Sequence, residues 1–373
     1  MNNSEIAHRR LRNQGLTKLL FKSPADVVSQ LGAVQAQDYA GAKWALGQRL
    51  RDVTDSDLDQ AFNSGSILRT HLLRPTWHFV TPEDIRWLLM LTAPRVHALN
   101  AHMYRKTGLD AAVIKRTNAL LEKFLRGENF LTRAEIASAL EKAGISSVED
   151  LRLIYIMMRA ELDGIICSGP RKGKQFTYAL LEERAPFKKD VPRDEALAEL
   201  TRRYFNTRGP ATLQDFCVWS GLTLAEAKKG IAFVESEFTS EKVNDKQYWF
   251  REQRLQARKQ KPTAYLLPNF DEYFIGFKDR SAIAEYAKQA KISGNDPAML
   301  GNIIILDGQV VGGWKRTINK NDVIVEATHI IELGKTEKDL IADAANRFGS
   351  FLELPVTIIH KEYDLKNRKS RNF

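Results

Sequence analysis

The sequence predicts an α+β chain of three tandem winged helix-turn-helix units followed by a C-terminal β-barrel-like domain. Three observations predict it. Between Leu131 and Leu180, two helix signals precede a hairpin signal with a basic turn; the same order recurs on either side; and beyond Lys261 the texture changes to short β-rich runs. The units this implies are residues 1–110, 111–190, 191–260 and 261–373. The repeat is read from element order, because the copies share little sequence.

In the first unit Ser23-Pro24-Ala25-Asp26 and Thr54-Asp55-Ser56-Asp57 are helix starts, since Ser and Thr accept from the free N–H groups of a first turn and Pro is preformed for it. Residues 67–73 and 76–80 read as strands around Arg74-Pro75. The second unit opens on the capping box Thr132-Arg133-Ala134-Glu135, with Ile136 and Leu140 on the helix and Gly144 ending it. A second helix starts at Ser146 or Ser147, carries Leu151, Ile154, Tyr155, Met158 and Leu162 at helical spacing, and stops before Gly164. Residues 165–167 and 176–180 are strands flanking the basic turn 168–174. In the third unit Thr212-Leu213-Gln214-Asp215 begins a helix that Gly221 ends, and Thr223-Leu224-Ala225-Glu226 begins the next. Its hairpin is 238–243 and 248–251 around Asn244-Asp245-Lys246. The last unit reads as a small barrel or curved sheet from strands near 264–267, 303–306, 309–314, 323–327 and 356–359, with Asp307-Gly308 as a hairpin turn and one helix near 335–352.

Lys and Arg outnumber Asp and Glu by 56 to 46, a net charge of +10 that points to a polyanionic partner. The two cysteines, Cys167 and Cys217, are far apart and outside any Cys-x-x-Cys pattern, which argues for a reducing compartment and against structural zinc. No apolar run approaches the ~18–20 residues needed to span a bilayer, and the start lacks the apolar core of a secretory signal. The expectation is a cytoplasmic protein with no membrane contact. No heptad marks a dimer helix, so a monomer is expected.

Absent motifs remove whole enzyme classes: there is no Gly-x-Ser-x-Gly, no His-Glu-x-x-His and no Gly-x-Gly-x-x-Gly after a strand. Gly169 to Gln175 imitates a phosphate loop but has Gln where Ser or Thr must hold Mg²⁺. It reads instead as a wing tip. The seven histidines sit singly, so neither a metal nor a cofactor is expected. Basic residues at helix faces and wing tips are the expected DNA-binding set: Arg9, Arg10, Arg171, Lys172, Lys174, Arg202 and Arg203, with further clusters at 258–261 and 366–371. Gln35-Ala36-Gln37 stands out in an apolar context. Two residues apart, the glutamines share a face only on extended backbone, so a helix must end before them if they act together.

These residues carry a resemblance. The run from Leu31 through Gln35, Gln37, Asp38, Gly41, Trp44 and Gly47, then Leu68-Arg69-Thr70 through Thr76-Trp77-His78, resembles the AlkZ/YcaQ-like family of winged-helix DNA glycosylases that unhook interstrand crosslinks. Gly209-Pro210-Ala211-Thr212, Trp219-Ser220-Gly221, Leu267 through Tyr273 and Asp307 through Trp314 continue it, so it covers nearly the whole chain. It implies a monofunctional glycosylase acting on double-stranded DNA that contains alkylated or crosslinked purines, with Gln35 and Gln37 as the catalytic pair of the Gln-x-Gln branch. Asp38, Arg69, Thr76 and His78 would support them. Pro75 departs from the family's Arg-Gly-Thr-x-His pattern and stiffens the first wing. Of the acidic run, Asn269, Asp271 and Glu272 read as structural, through an Asp279–Arg280 pairing or by anchoring the barrel to the helical units.

A glutamine amide takes no proton at neutral pH, so this pair offers position and dipoles rather than general-base catalysis. An N7-alkylated purine already carries positive charge and leaves without a general acid. What remains is to hold a water against C1′ and to turn amide oxygens toward the developing oxocarbenium, effects of about a few kcal/mol. Two other readings stay open on sequence grounds: a winged-helix transcription regulator, and a non-catalytic damaged-DNA-binding protein whose glutamines read base edges.

Overall fold

The computed structural model describes residues 1–146, 151–186, 189–252, 262–289 and 301–363. Helix α1 (Asn3–Asn13) is closed by an Asn2/Glu5 capping box. In α2 (Pro24–Leu31), Ser23 accepts from the Asp26 N–H and Pro24 occupies the first turn, as the sequence dictates. Gly32, at φ 80°, turns the chain out of α2 into the two-residue strand β1 (Val34–Gln35). Asp38 caps α3 (Tyr39–Gly47), and the Thr54/Asp57 box caps α4 (Asp55–Ser64). Strands β2 (Leu68–Leu72) and β3 (Thr76–Val80) form the first hairpin, and β1 joins it in the order β1-β3-β2.

Two long helices, α5 (Ile85–Lys106) and α6 (Ala111–Leu125), lead to the second block. It holds β4 (Leu131–Thr132), α7 (Arg133–Lys142), α8 (Arg152–Leu162), β5 (Ile166–Ser168), β6 (Thr177–Leu180) and the short α9 (Leu181–Arg184). The expected start of its second helix is Ser146 or Ser147; α8 begins instead at Arg152 with Leu151 as its N-cap, and Ser147 itself lies outside the described residues. The third block comprises α10 (Arg193–Arg208), α11 (Leu213–Ser220), α12 (Leu224–Val234), β7 (Thr239–Val243) and β8 (Lys246–Phe250). Here the turn is Asn244-Asp245 alone, both at positive φ, so Lys246 is already strand. Each helical block therefore closes on an antiparallel hairpin at the place its sequence marks.

The C-terminal part contains β9 (Ala264–Leu267), α13 (Glu272–Ile275), α14 (Glu285–Gln289), β10 (Ile303–Leu306), β11 (Gln309–Ile318), β12 (Val323–His329), α15 (Lys335–Leu352) and β13 (Val356–Glu362). Its sheet runs β13-β12-β11-β10-β9, antiparallel except for β12 and β13, which are parallel because α15 crosses between them. The expected barrel is not formed: among the described residues the edge strands β9 and β13 do not pair, and the sheet is open. Its apolar face is covered instead. Trp44 of α3 and Trp314 of β11 pack edge-on against Phe348 of α15, and their indole N–H groups donate to Leu266 O and Leu267 O.

That packing joins the first helical block to the C-terminal sheet in one core running from Val27, Trp44 and Phe62 to Leu266, Val325 and Phe348. A second core joins Leu68, Leu88 and Met158 to Tyr204, Phe216 and Trp219. The 33–37 segment lies where the two meet, with Ala33 in one core and Val34 and Ala36 in the other. No helix among the described residues is long and apolar enough to cross a membrane. The basic clusters at 258–261 and 366–371 lie outside the described residues.

Candidate active site

Between the end of α2 and the cap of α3 the chain has room only for a short extended segment, and this segment carries both glutamines. Gln35 lies opposite His78 in β3, and the Ala36 N–H donates to Trp77 O at 2.8 Å. Ladder bonds alternate in an antiparallel pair, so the Gln35 N–H points away from β3. It donates to Glu272 Oε1 at 3.0 Å. On this backbone Gln35 and Gln37 share a face, but not an environment. Gln35 is buried, 8 % exposed; Gln37 is exposed, and its Oε1 accepts from the Trp77 N–H at 3.4 Å.

Glu272 ties this strand to two other parts of the chain. Its Oε2 accepts from Arg208 Nη2 at 2.5 Å and from the Trp219 indole N–H at 2.8 Å, and all three side chains are essentially inaccessible. Arg208 also donates to Leu31 O at 2.8 Å, closing the C-terminus of α2 just before the glutamine segment. Its neighbour Asp271 makes two 2.9 Å bonds to Arg49 and caps α13 through the Tyr273 N–H. These acids anchor the C-terminal domain to the helical blocks. The expected Asp279–Arg280 pairing is absent: Lys246 Nζ lies 2.6 Å from Asp279, which also accepts from Tyr248, while Arg280 donates to Phe274 O and stacks on that ring. Burial opposes the charge on Asp279, but the Lys246 ammonium and the Ser281 N–H hold its carboxyl down at about 2. The Asn269 N–H donates to Asn302 Oδ1 at 2.8 Å.

The supporting residues surround the segment. Asp38 caps α3 through the Gly41 N–H at 3.0 Å and lies 3.8 Å from Arg316. Arg69 donates to Ala36 O at 3.0 Å, with its guanidinium 4.2 Å from the Trp77 ring centre and 4.7 Å from that of Phe176. Thr76 O accepts from His78 Nδ1 at 2.9 Å. Burial, and then the Arg74 cation, hold the His78 imidazole well below its usual pKa, so it is neutral.

Gln37 opens onto a cleft of about 440 Å³ lined also by Asp38, Tyr39, Arg69, Arg171, Phe176 and Arg316. Its aromatic wall is Tyr39 and Phe176, edge to face, with Arg171 over both rings. Burial and the hydrogen bond to Asp59 push the Tyr39 phenol far up, so it stays protonated. The cleft lining thus sets Lys43, Arg69, Arg171 and Arg316 against Asp38 and Asp55, a cationic excess beside aromatic and aliphatic side chains.

The expected DNA-binding set divides. Arg171 lines the cleft, and Lys172 and Lys174 are exposed beside it, Lys172 paired with Glu135. Arg9 lies over the Phe250 ring. Arg10 does not face solvent at all: it is fully buried, donates to Pro210 O at 2.9 Å and stacks 3.6 Å from the Phe277 ring centre. Arg202 is held by Glu199 and Glu237, and Arg203 by Glu199 and Asp84, so both lock α10 in place rather than reaching outward. The Asp307-Gly308 turn also points elsewhere. A Cβ on Gly308 would lie 2.9 Å from Ala7 of α1, and Tyr273 donates to Gly308 O. From the C-terminal sheet it is the far end of β11 that borders the cleft, through Arg316 and Ile318. Nothing local in the sequence marks Arg316, Phe176 or Arg208, which meet Asp38, Tyr39 and Glu272 from distant segments. Among the described residues no group of three or more His, Cys, Asp or Glu is placed to hold a metal.

The profile of the family described as DNA glycosylase AlkZ-like matches residues 28–351, a span that holds the glutamine segment, Arg208 and Glu272. The chain belongs to the AlkZ-like DNA glycosylases. A curated relative from Streptomyces sahachiroi, named interstrand DNA cross-link repair glycosylase, is 24 % identical over 318 residues, covering 82 % of this chain and 85 % of the relative. The solved structure of Streptomyces sahachiroi DNA glycosylase AlkZ superposes with a TM-score of 0.77 at 22 % identity, over 96 % of this chain and 100 % of that one. The AlkZ fold is therefore shared over nearly the whole chain, and the enzyme class follows from the family.

Proposed function

We propose that this AlkZ-like enzyme hydrolyses the N-glycosidic bond of N7-alkylated purines in duplex DNA, interstrand crosslinks included, without a metal, using Gln35 and Gln37 to hold the attacking water. The observation that carries the reading is that Gln35, at the end of β1, and Gln37, just beyond it, share one face of extended backbone, with Gln37 lining a cationic cleft. The name of the curated relative supports the crosslink part of it.

The reaction asks for little. Water oxygen bonds to C1′, the C1′–N9 bond breaks with its electron pair going to the positively charged purine, and the water's proton passes to solvent. Amide oxygens aligned with the water and the developing oxocarbenium stabilise it without reorganising. A crosslinked base is tethered to the opposite strand and cannot rotate out fully, so an open cleft suits it better than a deep pocket. In this reading the helix-hairpin blocks act as winged helices that grip the duplex, with Arg171, Lys172 and Lys174 at phosphates, and a single copy suffices.

The test is a duplex carrying one N7-methylguanine beside a crosslinked duplex, incubated with EDTA and then cleaved at abasic sites with alkali. Release by the wild type and its loss in a Gln35→Ala, Gln37→Ala variant that still binds DNA is the expected result. Wild-type rates from that double variant would end the proposal.

A further inference from the structure

Beside the glutamines, three buried polar atoms have no hydrogen-bond partner among the described residues: Thr70 Oγ1, Thr76 Oγ1 and His78 Nε2. Two of them stand in a row. Gln35 on β1 is opposite His78 on β3, and His78 is opposite Thr70 on β2, so one face of the sheet carries Gln35, His78 and Thr70 side by side. Gln35 and His78 form a pair without mutual backbone bonds, the arrangement that brings side chains closest, with Cβ atoms roughly 4.5–5.5 Å apart.

The tautomer of His78 follows from its partner. Nδ1 lies 2.9 Å from Thr76 O, and a carbonyl only accepts, so Nδ1 carries the proton and Nε2 presents a bare lone pair. A buried acceptor without a donor destabilises the resting fold, and its presence asks for a reason outside stability.

Gln35 has the complementary need. An amide holds water by its oxygen only when the oxygen, and not the NH₂, faces that water. The Gln35 backbone is fixed by Glu272, but among the described residues its side-chain amide makes no hydrogen bond that would choose between the two ends. We propose that His78 is a positioning residue: its Nε2 accepts from the Gln35 side-chain NH₂ in the DNA complex, which turns Gln35 Oε1 toward the attacking water. This rests on the proposed role of the glutamine pair and adds a residue that acts only through it. The neighbouring donors that compete for Nε2 are the Thr70 hydroxyl and the Arg74 guanidinium, two of whose nitrogens are buried without partners.

The test is a double-mutant cycle on the full chain, reading single-turnover release of N7-methylguanine, duplex Kd and Tm. His78→Phe keeps the shape and removes the acceptor; it lowers the release rate by roughly 10–100-fold, with duplex Kd within about twofold of wild type. Its Tm stays level or rises, which a structural role for His78 would not allow. In a Gln35→Ala background the same change costs nothing more, and His78→Gln, whose amide oxygen can accept, recovers part of the rate. A loss that adds in full to that of Gln35→Ala, or that vanishes in a Thr70→Val or Arg74→Met background instead, overturns the proposal. If the wild type releases no base, the functional reading fails, and the side-chain amide protons of Gln35 in the duplex-bound protein decide this one. They are assigned by their loss in Gln35→Ala. A shift on His78→Phe sustains the contact, and unmoved resonances refute it.

Discussion

Replacing Glu272 by Gln changes one oxygen for an NH₂ group at a point where three donors converge. The carboxylate accepts from Gln35 N–H, Arg208 and Trp219, and it is the ion-pair partner of an arginine with no solvent access. Glutamine fits the same space, yet whichever way its amide turns, an NH₂ meets at least one of those donors. Arg208 is left as an uncompensated buried cation, a loss of about 3–5 kcal/mol when one partner of a buried pair is removed. Against a total stability of roughly 5–15 kcal/mol, the variant folds but unfolds at clearly lower denaturant. Two donors, one of them a cation, keep the amide oxygen at the Oε2 position, so the NH₂ faces the Gln35 N–H, the glutamine strand loses its outer hydrogen bond, and single-turnover base release falls by roughly 10–100-fold beyond what the unfolded fraction explains. The assays are urea unfolding followed by tryptophan fluorescence and alkali cleavage of abasic sites at a temperature where the variant is folded. A companion Glu272→Gln, Arg208→Met variant removes the stranded charge and regains stability without regaining activity. Glu272→Gln with wild-type midpoint and rate would refute the reasoning, since it would mean that the buried charge neither holds the fold nor orders the strand.

If Arg171 meets a phosphate as proposed, Arg171→Ala should weaken binding to undamaged duplex and lower the slope of log K against log salt by about one, read by anisotropy across a salt series. Gly221→Ala should lower Tm and slow base release together: Gly221 sits at φ 73°, and a Cβ there would collide with Leu73 O in the turn that leads into Thr76 and His78. His329, stacked on His360 and held at about 4 by burial and then by its neighbours' charge, binds its proton more readily unfolded than folded. Stability linked to it is complete above about pH 6.5 and is lost as pH falls toward 4, so His329→Phe should flatten the acid side of a Tm-against-pH curve over that window.

Much of the fold was legible because its signals are local. The Thr132/Glu135, Thr212/Asp215 and Thr223/Glu226 capping boxes form where their spacing places them, and the expected strands near 264–267, 303–306 and 323–327 are strands. The argument that a helix must end before Gln35 also matches the structure, since Gly32 stops α2 three residues earlier. What sequence could not show is company. Arg10 looks like a surface cation until Pro210 and Phe277 arrive from far along the chain, and Arg203 does so until Asp84 faces it across a helix contact. The Asp307-Gly308 turn was recognisable as a turn, but its direction is set by Ala7 and Tyr273. That the sheet stays open likewise goes with α15 and Trp44 covering its apolar face, a packing choice no strand pattern encodes.

The meeting of Gln35, Arg208, Trp219 and Glu272 also sets an order of events during synthesis. The glutamines leave the ribosome early, their carboxylate latch more than two hundred residues later. A nascent chain ending at the third helical block holds the chemical groups without the acid that fixes their strand. Fragments cut before Glu272 are accordingly unlatched, and the order of the glutamine strand waits for the C-terminal part of the chain to be made and docked.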